Sequence, residues 1–273
     1  TERAPEADLP PGVKRLSDIP YGQDPAQKMD VYLPLQAQAK APFTRLPVIF
    51  MVHGGAWRFG DKAAGHVISN KVAHWLPHGF VFVSINYRML PATPIAEQAR
   101  DVAKALAYAQ ARASSWGADP QQLVLMGHSA GAHLVDLLSA NPALAAAEGA
   151  KPWRATISLD SAAIDVAALM QRRHSKALYD AAFGQDPAYW AQVSPMQQLR
   201  AGTLPMLMVC SSTRRDQPCG PTGDFVEAAK KLGHPAQLLP VALSHEEINA
   251  TLGQDNDYTH TVDAFIANLK LRQ

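Results

Sequence analysis

The sequence predicts an α/β fold in which helices cover both faces of a mostly parallel sheet. Continuous apolar runs, typical of strands buried on both faces, alternate along the chain with helix-like segments. The chain has 273 residues, 47% of them hydrophobic, which is enough to bury one large core. We therefore expect a single domain over residues 1–273.

Eight segments have the apolar or β-branched character of strands, and the first two are expected to run antiparallel. The third is a continuous apolar run, as expected for a strand buried on both faces. The predicted strands are residues 13–19, 29–33, 48–52, 80–85, 123–126, 155–159, 205–210 and 236–241.

Helical spacing of apolar residues predicts helices between these strands, with Pro94 suited to a first turn and Gly117 to a helix end. The first dozen residues resemble a loose arm, and residues 36–46 a polar surface connection. Residues 161–194 fit the alternation poorly, so we expect a small cap-like insertion there. The predicted helices are residues 69–77, 94–116, 130–139, 222–232 and 258–271.

The charge balance excludes several classes of partner. A net charge of +1 with no long basic or acidic block argues against nucleic acid and anionic membranes. No apolar run approaches the ~18 residues of a membrane-spanning helix. Two cysteines are too few for a four-cysteine zinc site, and no metal is predicted.

The pentapeptide Gly127-His128-Ser129-Ala130-Gly131 stands between a predicted buried strand and a predicted helix. A sharp turn at this point exposes the central hydroxyl, and glycines on either side remove side chains that would collide with nearby backbone. Ser129 is therefore the predicted nucleophile, although an isolated motif of this kind is equally compatible with an ordinary turn.

A serine nucleophile needs a base, and His245 is the one histidine placed just after the last predicted strand and before the last helix. The base needs a carboxylate to fix its tautomer. We expect Asp216, which follows the seventh strand, to be that acid. Asp224 is the alternative, but it falls in the first turn of a predicted helix, where it favours the helix dipole.

The segment His53-Gly54-Gly55-Ala56-Trp57 follows the third predicted strand. Small residues allow backbone N–H groups to approach a developing oxyanion closely. We expect an oxyanion hole made by the N–H groups of Gly55, Ala56 and Ala130. This chemistry requires neither a metal nor an organic cofactor.

These motifs together resemble the α/β-hydrolase family, specifically the small HGG-motif esterases of the hormone-sensitive-lipase-like and the acyl esterase and kynurenine formamidase branch. The resemblance extends from residue 47 to residue 245. It implies an α/β-hydrolase fold with Ser-His-Asp chemistry, and a His53 ring that braces the oxyanion loop. Ala56 replaces the third glycine of the HGGG form, which favours the formamidase-like branch. The further matching segments are Asn86-Tyr87-Arg88, Gly117-Ala118-Asp119-Pro120 and Ser194-Pro195.

Cys210 and Cys219 bracket Asp216 and are nine residues apart. A disulfide would close this short loop and pin the acid, whereas two unrelated thiols are the alternative. The bridge favours a secreted or periplasmic location over the cytoplasm. The polar, proline-rich start at Thr1 fits both a trimmed chain and a mature chain whose export signal has been removed.

The sequence thus predicts a serine hydrolase that cleaves small-molecule carboxylic esters of small to medium acyl groups through an acyl-enzyme. Arylformamidase-like hydrolysis of N-formyl aryl amides is the alternative within the same machinery. A non-catalytic binding protein on this fold would be expected to have lost a triad residue, and none is missing. Trp57, Met89 and Trp190 are expected to line the substrate pocket.

Overall fold

Eight strands form one sheet in the order β1-β2-β4-β3-β5-β6-β7-β8 in the computed structural model, which describes residues 9–38 and 45–271. β2 runs antiparallel to both β1 and β4, and the other pairs are parallel. The predicted mostly parallel sheet is confirmed. The strands are β1 (Lys14–Pro20), β2 (Lys28–Leu33), β3 (Leu46–Val52), β4 (Val81–Ile85), β5 (Ala118–His128), β6 (Ala155–Leu159), β7 (Met206–Ser211) and β8 (Ala236–Val241).

The apolar runs are continuous because the central strands are covered on both faces. Every residue of β3, β4, β6 and β7 is buried. Along β3, Phe50 belongs to one apolar cluster, and its neighbours Ile49 and Met51 belong to another. Since successive strand side chains point to opposite faces, the two clusters are the cores above and below the sheet.

Helices pack on both faces of this sheet. The helix predicted at 69–77 begins earlier, at Gly65, where Ala64 provides no side-chain cap that the sequence could have signalled. The long helix predicted at 94–116 ends at Arg112 and continues as a 3₁₀ turn that stops at Gly117, whose φ is 72°. The helices are α1 (Leu35–Gln38), α2 (Gly65–Trp75), α3 (Ile95–Arg112), α4 (Ala130–Ala140), α5 (Ala143–Ala146), α6 (Val166–Gln171), α7 (Ala181–Phe183), α8 (Pro187–Gln192), α9 (Pro195–Gln198), α10 (Cys219–Lys231), α11 (His245–Ala250) and α12 (Asp257–Asn268).

The segment 161–194 contains only short helices: α6, a π-helix at Lys176–Asp180, α7 and α8. Of the surface connection predicted at 36–46, residues 36–38 belong to α1, and residues 39–44 lie outside the described residues. Residues 1–8 of the predicted arm also lie outside them.

β8 is an edge strand, and its open side carries a proline. In the ladder with β7, Met206 donates to Pro235 and Ser212 donates to Val241, so the odd-numbered residues face β7. Pro240 therefore faces outward, where it has no N–H to offer to a further strand. Such a proline blunts edge-to-edge pairing.

Candidate active site

Ser129 occupies the single position between the end of β5 at His128 and the start of α4 at Ala130. Its backbone has φ 58° and ψ −120°, a region that non-glycine residues rarely adopt. Two backbone hydrogen bonds hold it there: the Ser129 N–H donates to Leu159 O over 3.0 Å, and the His133 N–H donates to Ser129 O over 3.0 Å. The hydroxyl is thus presented at the carboxyl edge of the sheet.

The glycines on either side of this turn are required by close backbone contacts. A side chain at Gly127 would collide with the carbonyl of Gly131, and one at Gly131 would collide with the carbonyls of Val52 and His53. The motif glycines therefore let α4 pack tightly against β3, as the strand–turn–helix pattern predicts.

His245 meets Ser129 although the two are far apart in sequence. The Nε2 atom of His245 lies 2.8 Å from the Oγ atom of Ser129. His245 is the first residue of α11, and a capping box between Ser244 and Glu247 fixes the start of that helix. The structure therefore brings together the predicted nucleophile and base.

The carboxylate at the other ring nitrogen belongs to Asp160. Its Oδ2 atom lies 2.6 Å from His245 Nδ1, and its Oδ1 atom accepts a 2.8 Å hydrogen bond from the Ser211 N–H. Asp160 immediately follows β6 and is fully buried. A serine hydroxyl, an imidazole and a buried carboxylate thus form one hydrogen-bonded chain.

The structure corrects the prediction that Asp216 orients His245. Asp216 is 44% exposed, and its two oxygens accept hydrogen bonds from Arg214 Nε at 3.0 Å and Nη2 at 2.7 Å. It lies five residues beyond the last residue of β7, so the chain has turned outward before reaching it. The sequence contained a signal for Asp160, which directly follows an apolar strand just as Ser129 does.

The electrostatics of Asp160 favour its ionised form. Burial raises the pKa of this carboxyl, but hydrogen bonds from His245 and the Ser211 N–H, together with the Arg214 charge, outweigh burial and hold its pKa below the usual range. An ionised carboxylate facing Nδ1 fixes the tautomer in which Nδ1 carries the proton and Nε2 accepts one.

The segment from residue 53 to residue 57 forms a tight loop facing Ser129. Gly55, Ala56 and Trp57 all have positive φ, at 130°, 55° and 58°. A side chain at Gly55 would collide with the backbone of Phe59, so only glycine fits there. The His53 ring, buried behind the loop, lies 2.7 Å from Gly54 O through Nδ1 and stacks on Tyr87 at a centroid distance of 4.7 Å.

The backbone N–H groups of the predicted oxyanion hole are available for a ligand. Within the described residues, the N–H groups of Gly55, Ala56 and Ala130 donate no hydrogen bond. All three residues line the same cavity as Ser129. Their arrangement fits the stabilisation of an oxyanion next to the serine.

His128 and His133, which flank the serine in sequence, have their own partners. His128 Nε2 donates to His245 O over 2.8 Å, and burial and the neighbouring His245 ring lower the pKa of His128 to about 3. His133 accepts from Trp57 Nε1 over 3.1 Å and donates to Val193 O over 2.7 Å. His133 therefore ties the oxyanion loop to the end of the segment 161–194.

A cavity of about 820 Å³ opens over Ser129. Trp57 lines this cavity as predicted, but Met89 and Trp190 do not. Trp190 is buried in the apolar core, and Met89 packs against that core. Aromatic rings of this size satisfy core packing as readily as a pocket, and the sequence alone does not distinguish the two. The predominantly apolar part of the wall consists of Ala162, Ala163, Leu178, Tyr179, Phe59 and Ala250.

Cys210 and Cys219 form the predicted disulfide, which joins the end of β7 to the start of α10. Among the described residues, no group of three or more His, Cys, Asp or Glu side chains is placed to hold a metal ion. Over the same ranges, every helix is too short or too polar to cross a bilayer.

An eight-stranded sheet in this order, with a serine on the turn after β5 and a histidine after β8, defines the α/β-hydrolase class. The comparison with family models gives the particular family. The BD-FAE model matches residues 29–217, and the chain belongs to the BD-FAE family.

Curated relatives match parts of this chain. The isoprenylcysteine alpha-carbonyl methylesterase of Arabidopsis thaliana is 26% identical over 240 residues, covering 81% of this chain and 54% of the plant protein. Esterase LipC of Mycobacterium tuberculosis is 36% identical over 124 residues, covering 44% of this chain and 29% of that protein. The matches thus span about half or less of these relatives.

Solved structures show the same fold over nearly the whole chain. The apo form of Thermogutta terrifontis esterase 2 has a TM-score of 0.74 at 23% identity and covers 96% of this chain and 97% of its own. A truncated carbohydrate esterase from gut microbiota has a TM-score of 0.77 at 17% identity and covers 99% of this chain and 100% of its own. At these identities the likeness concerns the fold.

Proposed function

We propose that this chain is a serine hydrolase that cleaves carboxylic esters of small to medium acyl groups. The observation that carries the proposal is the hydrogen-bonded chain Ser129–His245–Asp160, with distances of 2.8 Å and 2.6 Å, beside free backbone N–H groups. A nucleophile, a base and an orienting carboxylate at hydrogen-bond distance are what acyl transfer to serine requires.

In the proposed reaction, Ser129 Oγ attacks the acyl carbon while His245 Nε2 takes the hydroxyl proton. Asp160 stabilises the imidazolium that forms. The N–H groups of Gly55, Ala56 and Ala130 stabilise the negative charge on the former carbonyl oxygen. His245 then returns the proton to the departing alcohol, and water hydrolyses the acyl-enzyme by the same steps.

The cavity supports small to medium acyl groups. Its volume of about 820 Å³ lies within the usual range for small-molecule sites. Its wall combines small side chains, Ala162 and Ala163, with the aromatic ring of Tyr179. Apolar surface of this kind favours acyl or alcohol groups with hydrocarbon character.

The names of the relatives favour esters over formamides. The Arabidopsis relative is named a methylesterase and the mycobacterial relative an esterase. We therefore propose the ester activity alone.

The Cys210–Cys219 disulfide supports an oxidising compartment outside the cytoplasm. Because cytosolic reductants keep most thiols free, we propose that the chain works in the periplasm or outside the cell. A small-molecule ester is the proposed binding partner.

Ser129→Ala and Asp160→Asn test the triad on short p-nitrophenyl esters. Ser129→Ala should lose nearly all turnover and all labelling by an organophosphonate. Asp160→Asn should lower kcat about 10³- to 10⁴-fold, because an amide favours the wrong imidazole tautomer. Stopped assays with purified protein, together with a thermal unfolding curve of each variant, provide the measurement.

Asp216→Asn is the matched control for the choice of acid. It removes a carboxylate from the same neighbourhood without removing a partner of His245, and should cost less than about tenfold in kcat. An Asp160→Asn variant that remains as active as the wild-type chain, or an Asp216→Asn variant that loses the larger share, would contradict the proposed triad.

A further inference from the structure

Arg214 lies beside the proposed acid and base. Its Nη1 atom is 2.9 Å from Asp160 Oδ2 and 3.0 Å from His245 Nδ1. Its other guanidinium edge is held by both oxygens of Asp216. The side chain is only 20% exposed. A rigid, permanently positive group is thus fixed against the Asp160–His245 pair.

The tautomer of His245 determines which atom accepts the hydrogen bond from Arg214 Nη1. If Nε2 accepts the proton of Ser129, then Nδ1 carries a proton and cannot also accept one from Arg214. The Nη1–H group of Arg214 must therefore donate to Asp160 Oδ2.

We propose that Arg214 is a positioning residue that fixes the Asp160 carboxylate on His245. The inference rests on the proposed function, since it assigns Arg214 a part in that same triad. Asp216 supports Arg214 in turn, because its two oxygens accept hydrogen bonds that hold the guanidinium in place.

The surroundings favour this role over the capture of an anionic substrate group. Arg214 already faces two carboxylates, Asp160 and Asp216, so its charge is more than compensated. An incoming anion would have to displace one of them. The disulfide closes the loop that carries Arg214, which limits the freedom of the guanidinium to leave this position.

Arg214→Gln and Arg214→Lys test this positioning role. With a neutral ester, Arg214→Gln should lower kcat about tenfold or more while changing KM by less than about twofold. Arg214→Lys keeps the charge but loses the planar fork, so it should recover only part of the lost kcat.

Arg215→Gln is the matched control. It removes the same charge from the adjacent, exposed residue and should leave kcat and KM unchanged. Thermal unfolding of each variant separates a loss of fold from a loss of positioning. Asp160→Asn, assayed in parallel, tests the underlying triad by itself.

Three outcomes would overturn the inference. One is an Arg214→Gln variant with wild-type kcat. Another is a lower kcat that follows a lower unfolding temperature, or a loss shared equally between kcat and KM, which would mean a merely structural role. The last is a KM that rises only for an ester carrying a free carboxylate, which would make Arg214 a substrate-binding group. If Asp160→Asn itself retains activity, the triad proposal fails independently of Arg214.

Discussion

The His128 imidazole donates to the carbonyl of His245 over 2.8 Å, and the two rings lie 4.6 Å apart between centroids. Since burial and the neighbouring His245 ring keep the pKa of His128 at about 3, it stays neutral at every pH at which a histidine base can work. Its one N–H is therefore always on Nε2, where it anchors the start of α11.

Replacing His128 should weaken the positioning of His245 without changing any atom that takes part in the proposed reaction. We expect His128→Ala to lower kcat about five- to tenfold, the rate equivalent of one hydrogen bond, at every pH between 5 and 8. His128→Gln, which carries an N–H at similar reach, should recover most of the loss. A steady-state pH series on one ester measures both. Full activity in His128→Ala would show that α11 needs no such anchor.

Individual site residues differ in how well the sequence reveals them. Ser129 and His245 were predictable because each stands close after an apolar run, at the edge where parallel strands end. Asp160 occupies an equivalent position after β6, but the expectation of an acid after the seventh strand favoured Asp216 instead. Asp216 is held away from His245 by its hydrogen bond with Arg214, and no local sequence pattern predicts this tertiary contact.

At the scale of elements, a buried carboxyl on α4 contacts β6. Asp136 on α4 accepts a 2.9 Å hydrogen bond from the Ser158 hydroxyl on β6, and its Oδ1 atom has no partner in the described part of the chain. Burial raises the pKa of Asp136 to about 8. The folded chain therefore keeps this carboxyl protonated at pH values where the unfolded chain has released the proton.

The raised pKa of Asp136 makes the stability of the folded chain depend on pH. Between about pH 4 and 8 the folded state binds one more proton than the unfolded state, so this group's contribution to stability falls as the pH rises. Asp136→Asn stays neutral and nearly isosteric. We expect it to be more stable than the wild-type chain at pH 9, by on the order of 1–3 kcal/mol, with a smaller difference at pH 5.

Urea unfolding at the two pH values measures the effect, with the wild-type chain as reference. An Asp136→Asn variant destabilised equally at pH 5 and pH 9 would mean that the hydrogen bond to Ser158, rather than ionisation, dominates this contact.

The existence of the elements was largely readable, whereas their ends were not. The buried strands are predictable because both of their faces must be apolar. The predicted bounds of β8, residues 236 and 241, are the observed ones. The start of α2 was missed because Ala64 lacks a capping side chain, and α10 begins at Cys219, before the predicted residue 222.

Across the whole molecule, a buried ion cluster joins the antiparallel edge of the sheet to the oxyanion loop. Lys62, just beyond that loop, places Nζ 2.7 Å from Asp18 on β1 and 2.8 Å from Asp30 on β2. The side chains of Lys62 and Asp30 are 2% and 1% exposed. Removing the ammonium would leave a desolvated carboxylate without its counter-ion.

We expect Lys62→Met to lower the free energy of unfolding by about 3–5 kcal/mol, because an uncompensated buried charge remains. Lys14→Met, on the exposed side of β1, is the control and should change it by less than about 0.5 kcal/mol. Chemical denaturation of both variants provides the comparison. Equal stabilities would mean that the cluster is dispensable to the fold.

The geometry of the segment 161–194 was the least predictable part of the molecule. Its helices have between three and six residues, too short for a periodic pattern to emerge. Their placement depends on contacts such as His133 to Val193, which are set by the finished core. The pocket wall therefore could not be derived from the sequence, and two of the three expected lining residues turned out to belong elsewhere.

The pairing of β5 with β6 ends where His128 lies opposite Leu159, so Ser129 and Asp160 are the next residues on the two neighbouring strands, directly past the end of the ladder. The register of this one strand pair therefore fixes the spacing of the proposed nucleophile and the proposed acid. The His245 imidazole comes from α11, which lies outside the sheet, so its approach to Ser129 depends on how that helix packs.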